Sequence, residues 1–302
     1  MKPSIIVQNY NKGPFVYRAV AGALAQTIPC DIVIGDAQST DNSLAEINRA
    51  VAEAPRGAEH DVRVLVKPTK DDNTFKAATE TTMWLANEAT GDLVLQCSSD
   101  DYSLPDRAKV CMEAVAEHPC SIIATTMYFE KQGETNREAM SGYPRESGYV
   151  TGADGLTKLA YGSVIAGYSR DFLNRCGHMM VGDHTPDVLM GFLASLDKGF
   201  YVVANPQHCH VEHANVANLG FQGKMRAAGG EDALRLAELN HFQLLALYTA
   251  CFDRAYELQP DGIPQDASNA LLSVILGQSR GWLEARKKLH ELHIQPWEMG
   301  QA

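Results

Sequence analysis

Short apolar runs alternate with helix-patterned stretches through the first 130 residues, and this alternation limits the fold more than any other feature of the chain. "SIIV" (Ser4 to Val7) reads as a buried strand. "PFVYRAVAGALAQ" follows it, with Pro14 suited to a first helical turn and Val16, Val20, Ala23 and Leu24 on one face. "DIVIG" is a second apolar run. After it, "SLAE" offers Ser43 and Glu46 as a capping box, and Leu44, Ile47 and Val51 continue a helical face. "VRVLV" (Val62 to Val66) is rich in β-formers, Lys76 to Ala89 is helix-like, and "DLVLQC" (Asp92 to Cys97) is another buried-strand pattern. The order βαβαβαβ implies an α/β fold with a mostly parallel sheet flanked by helices.

The rest of the chain is less regular. "YFEKQGETNREAMSGYPRESGYVTG" is polar and reads as a surface loop or β-ribbon excursion, a place for a substrate-facing lid. A helical pattern returns from Asp187 to Lys198, and "FYVVA" looks like a strand. Beyond about residue 225 the pattern is helical on both sides of "QPDGIPQ". The expected division is therefore a Rossmann-like domain over 1–224 and a helical C-terminal appendage over 225–302.

Charge and cysteine content exclude several functions. The formal net charge is −11 with no basic block, so the surface repels phosphate backbones and nucleic acid is not an expected partner. Seven scattered cysteines without a C-x-x-C pair fit neither a disulfide framework nor a thiolate zinc site. With no secretion signal at the N-terminus and no run of 18 apolar residues, the expected location is the cytoplasm. "EARKKLHELH" (Glu284 to His293) leaves open a peripheral place at the inner face of the membrane, but three basic residues in succession are a weak signal for it and a solvated helix face is the simpler reading.

In an open parallel sheet, ligands bind beyond the carboxyl ends of the strands. Here the first strand runs into "QNYN" (Gln8 to Asn11), the second into Asp36, and a later one into "SSDD" (Ser98 to Asp101). Asp100 and Asp101 supply hard oxygens of the kind Mg²⁺ or Mn²⁺ accepts alongside phosphate.

The stretches "SIIVQNYNKGPF", "GALAQTIPCDIVIGDAQSTDNS" and "GDLVLQCSSDDYSLPDR" resemble, in order and spacing, the opening of the GT-A glycosyltransferases, specifically the family 2 nucleotide-sugar transferases. The likeness covers the first 107 residues and resumes between Phe172 and about His213. It implies a metal-dependent, inverting transfer of a sugar from a nucleotide-diphosphate donor, a UDP-sugar first among them, to a hydroxyl. The acceptor would be a polysaccharide, a lipid-linked sugar or a protein side chain. By this resemblance Gln8 and Tyr10 line the base, Asp36 holds base or ribose, and Ser99 and Asp100 complete the nucleotide site. Asp100 ligates a divalent cation (Mn or Mg), with Asp101 beside it and His213 reaching the metal or diphosphate. Asp187, after Pro186 at a helix start, is the general base for the acceptor hydroxyl, and Asp183 is its rival. Lys76 is a candidate for diphosphate contact.

The chain departs from the family pattern at Ala37, Ser98 and Pro186, each standing where an acid is usual. These departures keep a second reading open, a non-catalytic nucleotide- or glycan-binding protein on the same scaffold. A nucleotidyltransferase would need a Gly-rich phosphate loop that "QNYNKGP" does not supply. Asp36 and Asp41 also read as simple turn and cap formers, and Asp187 as a helix-start charge. His208 and His210 share one strand face, as a pair of structural residues or part of a zinc site. The C-terminal helices could instead pair two copies of the chain.

Overall fold

The computed structural model describes residues 1–69, 75–131, 134–136, 146–150, 166–177, 186–212 and 230–293. The chain separates into two compact units, Met1–His213 and Ala214–Ala302.

The first unit is built on a ten-stranded sheet. Its parallel part consists of β1 (Pro3–Asn9), β2 (Asp31–Asp36), β3 (Asp61–Val66) and β4 (Leu93–Ser98), in the spatial order β3-β2-β1-β4. Helices α1 (Gly13–Leu24), α2 (Ser43–Glu53) and α3 (Phe75–Glu88) connect them, as the sequence pattern implies. Ile5, Ile6, Val7, Ile32, Val33 and Ile34 have no exposed surface, which is why β1 and β2 read as continuous apolar runs and not as alternating ones. On α1 the buried face carries Val16, Val20, Ala23 and Leu24 as expected.

Two expectations for α2 fail. Leu44 is exposed, so the buried face is Ile47 and Ala50. The capping box does not form either: the helix already begins at Ser43, no side chain caps it, and Glu46 pairs with Arg49. The reason is competition, since the Ser43 hydroxyl accepts a hydrogen bond from the Lys12 amide at 3.0 Å.

Beyond β4 the sheet becomes mixed. A two-residue β5 (Tyr102–Ser103), helix α4 (Arg107–Glu117) and the long β6 (Ile122–Lys131) follow, then β7 (Glu134–Asn136) and β8 (Gly148–Val150). The short strand β9 (Ala166–Ser169) inserts antiparallel between β4 and β6, and helix α5 (Arg170–Cys176) leaves it. Helix α6 (Pro186–Leu196) leads to β10 (Phe200–Glu212), which runs parallel to β6. The described parts of the polar middle segment are thus the end of β6, with β7 paired antiparallel to it, and β8, which pairs antiparallel with β10.

Two buried aspartates bracket β2. At its start, Asp31 accepts from the Thr90 amide at 2.7 Å, the Ser4 hydroxyl at 2.8 Å and Arg63 Nη2 at 2.7 Å. Burial alone would push this carboxyl up, but those donors outweigh it and hold it below the usual range. At the other end stands Asp36, which belongs to the site described below.

The second unit contains α7 (Gly230–Leu258) and α8 (Gln265–Glu291). Glu238 on α7 is buried and accepts from Trp282 Nε1 at 2.7 Å and Arg286 Nη1 at 3.0 Å, both on α8. Trp282 therefore anchors the helix pair. No described helix is long and apolar enough to cross a membrane.

Candidate functional site

Parallel register brings the chemically loaded strand ends to one edge of the sheet. Asn9 stands opposite Asp36 on one side, and Gln8 opposite Ser98 on the other. The chain runs outward from β1 to β2 and β3, then returns to place β4 on the opposite flank of β1. That reversal lies at the carboxyl ends of β1 and β4, the position beyond which open α/β sheets form their ligand crevice.

The loops after β1 and β2 are sewn together by side chains. Asp36 is 2% exposed, and its carboxylate accepts from Asn9 Nδ2 at 2.7 Å, the Ser39 amide at 2.9 Å and the Ser39 hydroxyl at 2.6 Å. Ser39 Oγ in turn accepts from the Asn11 amide at 2.9 Å, and Asn11 Oδ1 accepts from the Thr40 amide at 2.8 Å. Asp41 closes the clasp, accepting from the Gly13 amide and the Ser43 amide, each at 2.9 Å. Asn11 and Gln38 adopt left-handed backbone with φ of 51° and 58°. Asn tolerates that region better than Gln does. The Gln38 side chain offsets the strain by donating to the Lys67 and Pro68 carbonyls. A Cβ on Gly13 would lie 1.9 Å from Asn42 Oδ1, so the Asn42 side chain would have to move aside. Asp36, at the end of β2, and Asp41, just before α2, are thus loop-forming carboxylates.

Across the crevice the two acids after β4 diverge. Asp100 Oδ2 lies 3.0 Å from Lys12 Nζ, and the two side chains are 16% and 15% exposed. Asp101 turns inward, with 1% of its side chain exposed. Its Oδ1 accepts from the Val211 amide at 2.9 Å and lies 3.0 Å from His210 Nδ1, while Oδ2 is 3.6 Å from His208 Nε2. Burial would raise the Asp101 carboxyl, but the facing imidazoles of His208 and His210 hold it well below the usual carboxylate range. His208 is completely buried, and that burial lowers its affinity for a proton, an effect Arg107 reinforces. Arg107 itself is buried and donates from Nη1 to Ser103 Oγ at 2.9 Å. The shared strand face of His208 and His210 therefore serves one carboxylate; among the described residues no cluster of His, Cys, Asp and Glu is arranged to hold a metal ion.

The other sequence candidates distribute as follows. Gln8, at the end of β1, accepts from the Thr82 hydroxyl, which turns its amide toward α3. Tyr10 is partly exposed in the loop that follows, and Ser99 is buried in the turn before Asp100. Asp187 occupies the first turn of α6, directly after Pro186. Asp183 and His213 lie outside the described residues, as do the side chains of Asp187 and Lys76. Lys12 is the site residue that motif reading passes over. It follows "QNYN" directly, and its partner becomes visible only once β1 and β4 are known to be neighbours.

A family model, glycosyl transferase family 2, matches residues 4–177. Over 111 residues the chain is 32% identical to the chondroitin synthase of Pasteurella multocida (strain Pm70) and equally to the hyaluronan synthase of Pasteurella multocida. In both cases the match covers 36% of this chain, which spans about a tenth of the length of these relatives. Among solved structures, S. aureus TarS 1-349 in complex with UDP-GlcNAc is similar with a TM-score of 0.57 at 17% identity, over 94% of this chain and 79% of that one. The same protein in complex with UDP gives 0.55 at 18% identity, over 81% and 66%. At such identities the likeness to TarS is one of fold. The match to the family model takes in every strand end of the crevice, and the chain belongs to glycosyl transferase family 2, a family of enzymes.

Proposed function

We propose that this chain is a metal-dependent, inverting glycosyltransferase that moves a sugar from a nucleotide-diphosphate donor to a hydroxyl acceptor in polysaccharide or glycoconjugate synthesis. The observation that carries the reading is the parallel register that sets Gln8, Asp36 and the Ser98 to Asp101 turn along one crevice, in a chain of this family. The donor class is supported by the TarS complexes with UDP and UDP-GlcNAc, and the polysaccharide setting by the names of the Pasteurella synthases.

Gln8, Tyr10, Asp36 and Ser99 would hold the nucleoside. Asp100 fits a cation: it already faces a positive charge in Lys12 and keeps part of its surface open. Asp101 stands behind it, tied to the Val211 amide, and His213 is the third candidate ligand. Bound Mn²⁺ or Mg²⁺ would stabilise the charge that gathers on the departing nucleoside diphosphate more than that of the intact donor. Asp187 at the head of α6 takes the proton from the acceptor hydroxyl, which attacks from the face opposite the leaving group and inverts the anomeric carbon.

Calorimetric titration of UDP, GDP, CMP and dTDP, each with Mn²⁺ and with EDTA, tests the reading on the wild type and on Asp100→Ala. The expected result is UDP binding that requires Mn²⁺ and disappears in the variant. Failure of every nucleotide to bind would overturn it.

A further inference from the structure

Lys12 is placed with unusual firmness for a lysine in a loop. Its amide donates to Ser43 Oγ at 3.0 Å, its carbonyl accepts from the Phe15 and Val16 amides, and the next amide, that of Gly13, is held by Asp41. The backbone from which the side chain springs is therefore fixed by α2 and by the clasp. Asp100 comes from the other direction, in the turn that leaves β4 at Ser98, opposite Gln8, and that the Asp101 amide closes on the Ser98 carbonyl at 3.2 Å. Between them stands an ion pair of 3.0 Å with both partners more than four-fifths covered.

Resting on the glycosyltransferase reading, we propose that Lys12 is a built-in counterion of Asp100, one that closes the cation position until a nucleoside diphosphate arrives. A carboxylate neutralised by an ammonium at this distance attracts a second cation weakly, and an incoming dication is repelled by the ammonium it must displace. A diphosphate changes the balance. It carries enough negative charge to neutralise both cations, and the rotatable lysine head can leave Asp100 for a phosphate oxygen while its backbone stays in place. The cation and the diphosphate then assist each other's binding by the same factor, because such coupling is reciprocal. Lys12 sets that factor.

The test is calorimetric titration of Mn²⁺ alone, up to about 10 mM, into the wild type, Lys12→Gln and Lys12→Arg, followed by UDP with Mn²⁺ and with EDTA. Thermal melts check that each variant folds. Lys12→Gln should bind Mn²⁺ without nucleotide about ten-fold tighter than the wild type, and the factor by which Mn²⁺ improves UDP binding should fall at least about five-fold. Lys12→Arg keeps the charge and should keep the weak Mn²⁺ binding of the wild type. Equal or weaker Mn²⁺ binding by Lys12→Gln, or none at all, overturns the role of Lys12. That failure is distinct from failure of the functional reading, which is marked by a wild type that binds no nucleotide even with Mn²⁺.

Discussion

Replacing Asp36 with alanine separates a carboxylate that builds the site from one that only touches a ligand. Three donors converge on it: Asn9 Nδ2, the Ser39 amide and the Ser39 hydroxyl. In Asp36→Ala the Ser39 amide loses its acceptor outright. Asn9 Nδ2 keeps a weaker bond to Ser39 Oγ at 3.1 Å, and the Ser39 hydroxyl can rotate. Hydrogen bonds to a charged group contribute about 1.5–3 kcal/mol each, so one full loss and two partial ones predict a destabilisation of about 3 kcal/mol. Asp36→Asn retains one acceptor oxygen and turns the other into a donor facing donors, for about half that cost. Urea unfolding followed by tryptophan fluorescence measures both, and Trp84 is a suitable reporter because its ring lies under Gly35, beside the altered residue. A carboxylate held only for a ligand would cost nothing on removal, and removing it commonly stabilises the fold. If Asp36→Ala lies within about 0.5 kcal/mol of the wild type in the absence of nucleotide, the clasp is not what holds these loops.

Three further predictions concern residues away from the crevice. Asp31→Ala should lose about 3 kcal/mol of stability through the Thr90, Ser4 and Arg63 donors, yet leave the UDP affinity of the folded protein unchanged in calorimetry. Because its folded carboxyl is held below the ordinary value near 4, the stability it supplies is present above that pH and disappears as the pH falls through the lower folded value; acid unfolding of Asp31→Asn should accordingly show a shallower decline than that of the wild type below about pH 4. Trp282→Phe leaves Glu238 with Arg286 as its remaining partner across the C-terminal helix pair, and should cost that unit about 1 kcal/mol by hydrogen exchange of α7 and α8.

Much of the parallel half of the sheet is legible in the sequence, because strands buried on both faces appear as unbroken apolar runs and their connecting helices carry a one-sided stripe. The strands that make the sheet mixed are not: β5 has two residues and β9 four, too short for any period to register. Strand ends pointed to Asp36 and Asp100 for the same reason that the strands themselves were visible. What each carboxylate does there depends on partners far away in the chain. Ser43 has the spacing of a capping residue, yet its hydroxyl goes to Lys12. Asp100 and Asp101 are neighbours with one chemistry in the sequence and opposite environments in the fold, one paired with a lysine at the crevice and the other sunk against two histidines. That difference arises from the turn after β4 and from β10 lying against it; "FYVVA" announces the strand but not the neighbour it reaches.

The central position of β1 has a consequence for how the protein is made. Both of its hydrogen-bonded neighbours, β2 and β4, follow it in the chain, so the strand leaves the ribosome before either is available. One edge can be covered once Asp36 has emerged, while the other stays bare until about Ser98 has followed. During that interval, while α2, β3 and α3 are being synthesised, an apolar strand with an unpaired edge is open to pairing with other nascent chains.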